Sequence, residues 1–127
     1  MSFVTRDVAL AVIREVREPL ARVERRDRAL ADQVRRAATS ILLNIEEGNQ
    51  RKGRDRQHLF RVAKGSAAEL RAALLVGVTW GYLDEPREML SLIDRLERLL
   101  YGLVKPQSSA SSRSRSASTD CADPRST

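Results

Sequence analysis

Apolar residues recur at helical spacing four times along the chain, and no strand-like alternation persists between them. Val4, Val8, Val12 and Val16 come every four residues, with Ala11 and Ile13 beside them. Thr5 or Ser2 is a candidate cap for this segment. Pro19 is expected to end or bend it, because proline lacks an amide donor and crowds the preceding turn. The second segment is the most regular: Leu30, Val34, Ala37, Ile41 and Ile45 form one stripe. Asp27 stands at its N-cap position, and Gly48 where a C′ glycine belongs. The third runs from near Asp55 to Gly81 on Leu59, Ala63, Ser66, Leu70, Leu74 and Val78. Glycine inside a helix costs about 1 kcal/mol relative to alanine. The small run Gly65, Ser66 and Ala67 therefore predicts a seam where a neighbouring backbone comes close. The fourth carries Met89, Ile93, Leu96, Leu100 and Leu103, with Asp84 as its cap and Pro86 in its first turn.

Four amphipathic helices with short joints predict an all-α fold, an antiparallel up-down four-helix bundle over residues 1–105. Leu42, Leu43 and Leu92 widen two of the stripes and are candidates to face a second subunit. Residues 106–127 are dominated by Ser, Ala, Arg, Asp, Thr and Pro. Such a segment buries too little to offset its ordering entropy, so a disordered C-terminal tail is expected. The single cysteine, Cys121, falls in that tail and excludes a disulfide within the chain. No run approaches the ~18 apolar residues of a membrane span, and the first residues lack the apolar stretch of a signal peptide. A cytoplasmic protein with no membrane association is expected.

Charge adds a partner class. The formal net charge is +6. Residues 106–127 contribute three Arg against two Asp, which leaves +5 on the rest. That balance favours a polyanion. Arg51, Lys52, Arg54 and Arg56 cluster between the second and third segments, Arg35 and Arg36 lie on the second, and Arg61 on the third. Arg25, Arg26 and Arg28 lead into the second. These are the candidate phosphate contacts. No aromatic side chain lies within the 51–56 cluster, so electrostatic binding without base stacking is expected.

Catalytic readings find little to stand on. GNQRKGRD, residues 48–55, matches the two glycines of the phosphate loop GxxxxGK[ST]. However, Arg54 replaces the lysine, Asp55 replaces the hydroxyl, and a helical pattern precedes it where a strand is needed. Glu46 and Glu47 are adjacent on a helix and point about 100° apart, so they do not share a site. His58 is the only histidine and lacks tight ligand spacing to Glu47 or Asp55, so no metal or cofactor is expected. Ser66 has no histidine base near it and is read as a packing residue. Asn44 lies beside the apolar stripe. A buried amide needs partners, and its candidates are the backbone near Gly48, Ser66 or Glu69. Glu69 in turn could pair with Arg35 or Arg36. A non-enzymatic protein is the resulting expectation.

The stretches QVRRAATSILLNIEEGNQRKG and LFRVAKGSAAEL resemble the bacterial four-helix-bundle family of 23S rRNA intervening-sequence proteins. The matching positions are Gln33, Arg35, Arg36, Ser40, Ile41, Asn44, Ile45, Glu47, Gly48, Ala63, Gly65, Ser66, Glu69 and Leu70. Gly81, Tyr82 and Leu83 match the end of the family's third helix, and the likeness spans about residues 5–103. The first joint departs from the family's Phe-Pro…Glu-Arg form, Glu46 stands where alanine is common, and Val62 where isoleucine is common. The resemblance implies a non-enzymatic bundle that assembles as a homo-oligomer, a homopentamer in the family. Related accessory variability determinants of diversity-generating retroelements are basic barrels that bind a reverse transcriptase and nucleic acid. Two roles follow as expectations. One is a nucleic-acid-binding bundle holding RNA or DNA by its phosphates. The other is a protein-interaction scaffold, such as the accessory subunit of a reverse transcriptase.

Overall fold

The computed structural model describes residues 3–104, and the expectations for Ser2, Cys121 and the C-terminal tail lie outside them. Four helices follow one another: α1 (Phe3–Arg26), α2 (Arg28–Asn49), α3 (Gly53–Thr79) and α4 (Arg87–Leu103). Cross-helix contacts fix their directions. Arg6 near the start of α1 reaches Glu46 near the end of α2 at 2.7 Å. Ser40 meets Ser66, while Gly48 abuts Phe60, so α2 and α3 run oppositely. Gln57 near the start of α3 donates to the carbonyl of Leu103 at the end of α4. Neighbouring helices are thus antiparallel, as the periodicity predicts.

One core runs the length of the bundle. α1 contributes Val8, Ala9, Val12 and Val16, and α2 contributes Val34, Ala37, Ala38, Ile41 and Ile45. α3 adds Ala63, Ala67, Leu70, Ala73 and Leu74, and α4 adds Met89, Ile93, Leu96 and Leu100. Most of the core alanines belong to α2 and α3, where small side chains let helices lie close. A smaller cluster of Val23, Ala31 and Leu83 closes the end at the α1–α2 joint.

Several local expectations are corrected. α1 passes through Pro19 without stopping and continues to Arg26. Proline inside a helix costs roughly 3 kcal/mol. Here it occurs on a helix whose buried face includes Val16, Pro19 and Val23, so packing offsets the lost hydrogen bond. Thr5 is no cap but a buried residue in the first turns of α1, and Val4 is exposed. The turn between α1 and α2 is Asp27 alone. Its carboxylate accepts the amide of Leu30 at 2.9 Å, which is the N-cap the sequence predicts. Asp84 makes no such cap. α4 begins at Arg87 with Pro86 at the capping position.

Gly48 is not a C′ residue. It lies inside α2, and the helix ends one residue later with Gln50 at the cap. A Cβ at Gly48 would stand 2.6 Å from Cε1 and 2.9 Å from Cδ1 of Phe60. The residue that turns the chain is Gly53, whose φ of 60° is the left-handed region. Gly65 is corrected too. A Cβ there would meet nothing within 4 Å, while its neighbours Ser66 and Ala67 are buried. The seam is real at Ser66 and Ala67, and the close approach belongs to Gly48.

Candidate nucleic-acid interface

The seven candidate cations fall into three places. Arg35 and Arg36 sit on the exposed side of α2, about a third of the way along it. Arg35 bridges to α1: its guanidinium reaches Asp32 at 2.9 Å and Glu24 at 3.3 Å. Arg36 makes no ion pair among the described residues. It borders a groove of about 560 Å³ between α2 and α3, together with Ser40, Leu43, Asn44 and Glu69. Glu69 is exposed and makes neither the expected pair with Arg35 nor one with Arg36. Asn44 lies half-buried and donates to the Ser40 carbonyl at 2.8 Å and the Ser40 hydroxyl at 3.1 Å. It therefore bonds within its own helix and reaches Ser66 only through Ser40, whose hydroxyl lies 2.8 Å from that of Ser66.

The second place is the α2–α3 joint. Arg51 folds back on α2, at 2.7 Å from Glu47, with Asp55 at 3.8 Å. Arg56 turns inward: its guanidinium lies over the Phe60 ring, 4.7 Å from the centroid, and donates to the Gly48 carbonyl at 3.4 Å. It shields the packing that Gly48 permits. Lys52 and Arg54 are exposed and make no ion pair among the described residues. The first turn of α3 leaves amides without helical partners, so these two cations stand at the positive end of a helix dipole. The pairs of Arg35 and Arg51 are solvent-exposed. Such pairs contribute about 0–1 kcal/mol, so a phosphate can displace them at little cost.

The third place was not legible from the order of residues. Arg61 and Lys64 on α3 face Glu97, Arg98 and Tyr101 on α4, across an open groove of about 890 Å³ floored by Gly65 and Ala68. The ammonium of Lys64 lies 5.5 Å from the Tyr101 ring centroid. An aromatic ring does therefore sit among the cations, contrary to the expectation from sequence. The groove is mostly apolar, and Glu97 is held by Arg71 at 2.7 Å. Among the described residues, no group of three or more His, Cys, Asp or Glu is placed to hold a metal ion. No helix among them is long and apolar enough to cross a membrane.

Comparisons with known proteins agree on the fold. No curated protein matches the chain. A crystal structure of a protein of unknown function from the S23 ribosomal protein family of Bacteroides thetaiotaomicron VPI-5482 superposes with a TM-score of 0.73 at 20% identity. The overlap covers 80% of this chain and 99% of that one. A family profile described as 23S rRNA-intervening sequence protein matches residues 5–102, which spans all four helices almost entirely. On that match, over the whole bundle, the chain belongs to the 23S rRNA-intervening sequence protein family.

Proposed function

We propose that this protein is a non-catalytic, self-associating bundle that binds the phosphate backbone of RNA or DNA, in the cytoplasm. The observation that carries the reading is the set Arg36, Lys52 and Arg54: exposed, cationic, and without an ion-pair partner among the described residues. They belong to a sequence with a net charge of +6. The family description names an rRNA element, which favours RNA among the polyanions. Arg36 and the joint are separated by about 22 Å along α2. One nucleic-acid strand can touch both.

Self-association is supported by α3, which is apolar on two faces. Its inner face builds the core. Val62, Leu75 and Val76 lie exposed outside the core-facing side of α3, and Trp80, its C-cap, is 69% exposed. Glu69 is the one carboxylate on that helix between Val62 and Trp80. Leu43 of α2 adds to the exposed apolar surface. Patches of this kind mark association surfaces. The same face supports a second reading, a scaffold whose outer helix seats a protein partner such as a reverse transcriptase.

Fluorescence anisotropy with labelled RNA, read across a salt series, tests the first reading. The affinity is expected to fall steeply with salt. Reversing Arg36, Lys52 and Arg54 to Glu lowers the slope by roughly 0.7–0.9 for each phosphate that is no longer neutralised. Unchanged affinity in that variant rejects these residues as the contact site. Light scattering on the wild type and on Val76→Asp tests the association, with a smaller particle expected for the variant. A tight protein partner together with negligible RNA binding by the purified bundle selects the scaffold.

A further inference from the structure

The groove between α3 and α4 combines features that the phosphate reading does not use. Tyr101 is 72% exposed, so its ring adds little to the core and leaves one face open to solvent. Gly65 and Ala68 make its floor shallow. A Cβ at Gly65 meets nothing, so no neighbour within the chain demands a glycine there. Three cations, Arg61, Lys64 and Arg98, stand around the groove against one carboxylate, Glu97. That carboxylate is answered by Arg71, which contacts it through both Nε at 3.2 Å and Nη2 at 2.7 Å. Arg98 is paired with Asp94 on the exposed side of α4, and such a pair exchanges readily for a phosphate.

An exposed ring beside an apolar floor, ringed by positive charge, suits one chemistry well. Single-stranded nucleic acid offers flat bases that stack on aromatic faces and phosphates that pair with the flanking cations. A duplex stacks its base faces inward and offers phosphates and groove edges instead. We infer that the α3–α4 groove is a stacking site for an unpaired nucleotide, with a base on Tyr101 and the adjoining phosphates on Lys64, Arg61 and Arg98. The site gives the proposed nucleic-acid binding, on which it rests, a preference for single strands. Its cationic rim matches a polyanion better than residues 105–127 of the chain, which carry four Lys or Arg against two Asp.

The test compares labelled oligouridine of about 20 nucleotides, an abasic strand of the same length, and a duplex, by anisotropy against the full chain. Tyr101→Ala is expected to weaken oligouridine binding about 5- to 100-fold. It should leave the abasic strand, the duplex and the salt slope unchanged. Tyr101→Phe keeps the ring and is expected to bind oligouridine as the parent does. Tyr101 is exposed, so both variants should fold, and circular dichroism checks this. Salt-dependent oligouridine binding that Tyr101→Ala does not alter overturns the stacking site and spares the phosphate reading. Failure of the parent to bind any of the strands overturns both. A Tyr101→Ala variant that changes particle mass but not oligouridine affinity assigns the groove to a second copy of the chain, and the stacking site falls.

Discussion

Two glycines in the bundle should respond oppositely to the same substitution. Gly48→Ala and Gly65→Ala each replace glycine inside a helix, so each gains about 1 kcal/mol of helix propensity. At Gly65 nothing opposes the gain, because the new methyl has open space around it. At Gly48 the methyl would lie 2.6 Å from the Phe60 ring and 3.4 Å from the Leu59 Cβ. Carbon atoms prefer separations of roughly 3.5–4.0 Å, so the overlap with the ring is close to 1 Å. Phe60 is fully buried and Arg56 lies over its ring, so the ring has little room to yield. Overpacking of this kind costs about 1–3 kcal/mol. The sum is stabilisation by about 1 kcal/mol for Gly65→Ala and a net loss of up to about 2 kcal/mol for Gly48→Ala.

Thermal and urea unfolding, followed by circular dichroism, measure both. For a bundle of this size 1 kcal/mol moves the midpoint by roughly 4–8 °C, so the two variants should separate clearly on either side of the parent. Scans over about a 100-fold range of protein concentration separate any contribution of self-association, which makes the midpoint concentration-dependent. Combining Gly48→Ala with Phe60→Leu, which withdraws the ring, should recover part of the loss and give a coupling of about 1 kcal/mol. A Gly48→Ala variant more stable than the parent refutes the argument. So does a Gly65→Ala variant destabilised at every concentration, since it would put a neighbour where the structure shows none.

Two other predictions concern polar links. Tyr82 donates to Asp27 at 3.2 Å, and desolvation, then that bond, then the charge of Asp27 raise its pKa above the ordinary 10.0, with Arg26 opposing. The fold therefore favours the protonated phenol. Its contribution is complete below about pH 10 and is lost as pH rises through the raised value. Tyr82→Phe should flatten the alkaline end of the stability profile, and parallel profiles for parent and variant would remove the linkage. Arg71 and Glu97 join α3 to α4 with side chains only 30% and 25% exposed. A double-mutant cycle with alanine should give a coupling of about 0.5–1.5 kcal/mol, and a coupling near zero would assign the pair no role in holding these helices.

The fold was legible because a period of 3.6 repeats itself over many turns, and a wrong residue or two does not move a stripe. Val8, Val12 and Val16 are buried as the spacing requires, even though Val4 is exposed and Thr5 is buried in its place. Pro19 does not end the helix, because its cost is local while its compensation is not. Whether a helix survives a proline depends on what covers it, and that cover comes from other helices. The glycines misled for a related reason. A glycine at a helix end and a glycine against a partner ring look alike in sequence. Only the antiparallel register that sets Gly48 opposite Phe60 tells them apart, and the left-handed turn fell instead to Gly53.

The candidate interface was less legible, since its chemistry is assembled between helices. Four basic residues close together suggest one patch, yet Arg56 spends its guanidinium on Phe60 and Arg51 on Glu47, so Lys52 and Arg54 are left as the unpaired pair. Sequence proximity counts charges without saying which carboxylates stand opposite. It also hides what lies across a helix–helix gap. Lys64 and Tyr101 are far apart in the chain, and only the antiparallel meeting of α3 with α4 brings them within 5.5 Å. The sequence nonetheless carries one signal of this. On α4 the buried positions are Met89, Ile93, Leu96 and Leu100, and Tyr101 lies one step past the last of them. A ring just off a core stripe lies at the edge of the buried face, where an antiparallel neighbour runs beside it, and Tyr101 is exposed there. Near the start of α3 stand Arg61 and Lys64, so the up-down topology sets them at the level of the ring, while only the packing of α4 decides that Tyr101 turns toward α3.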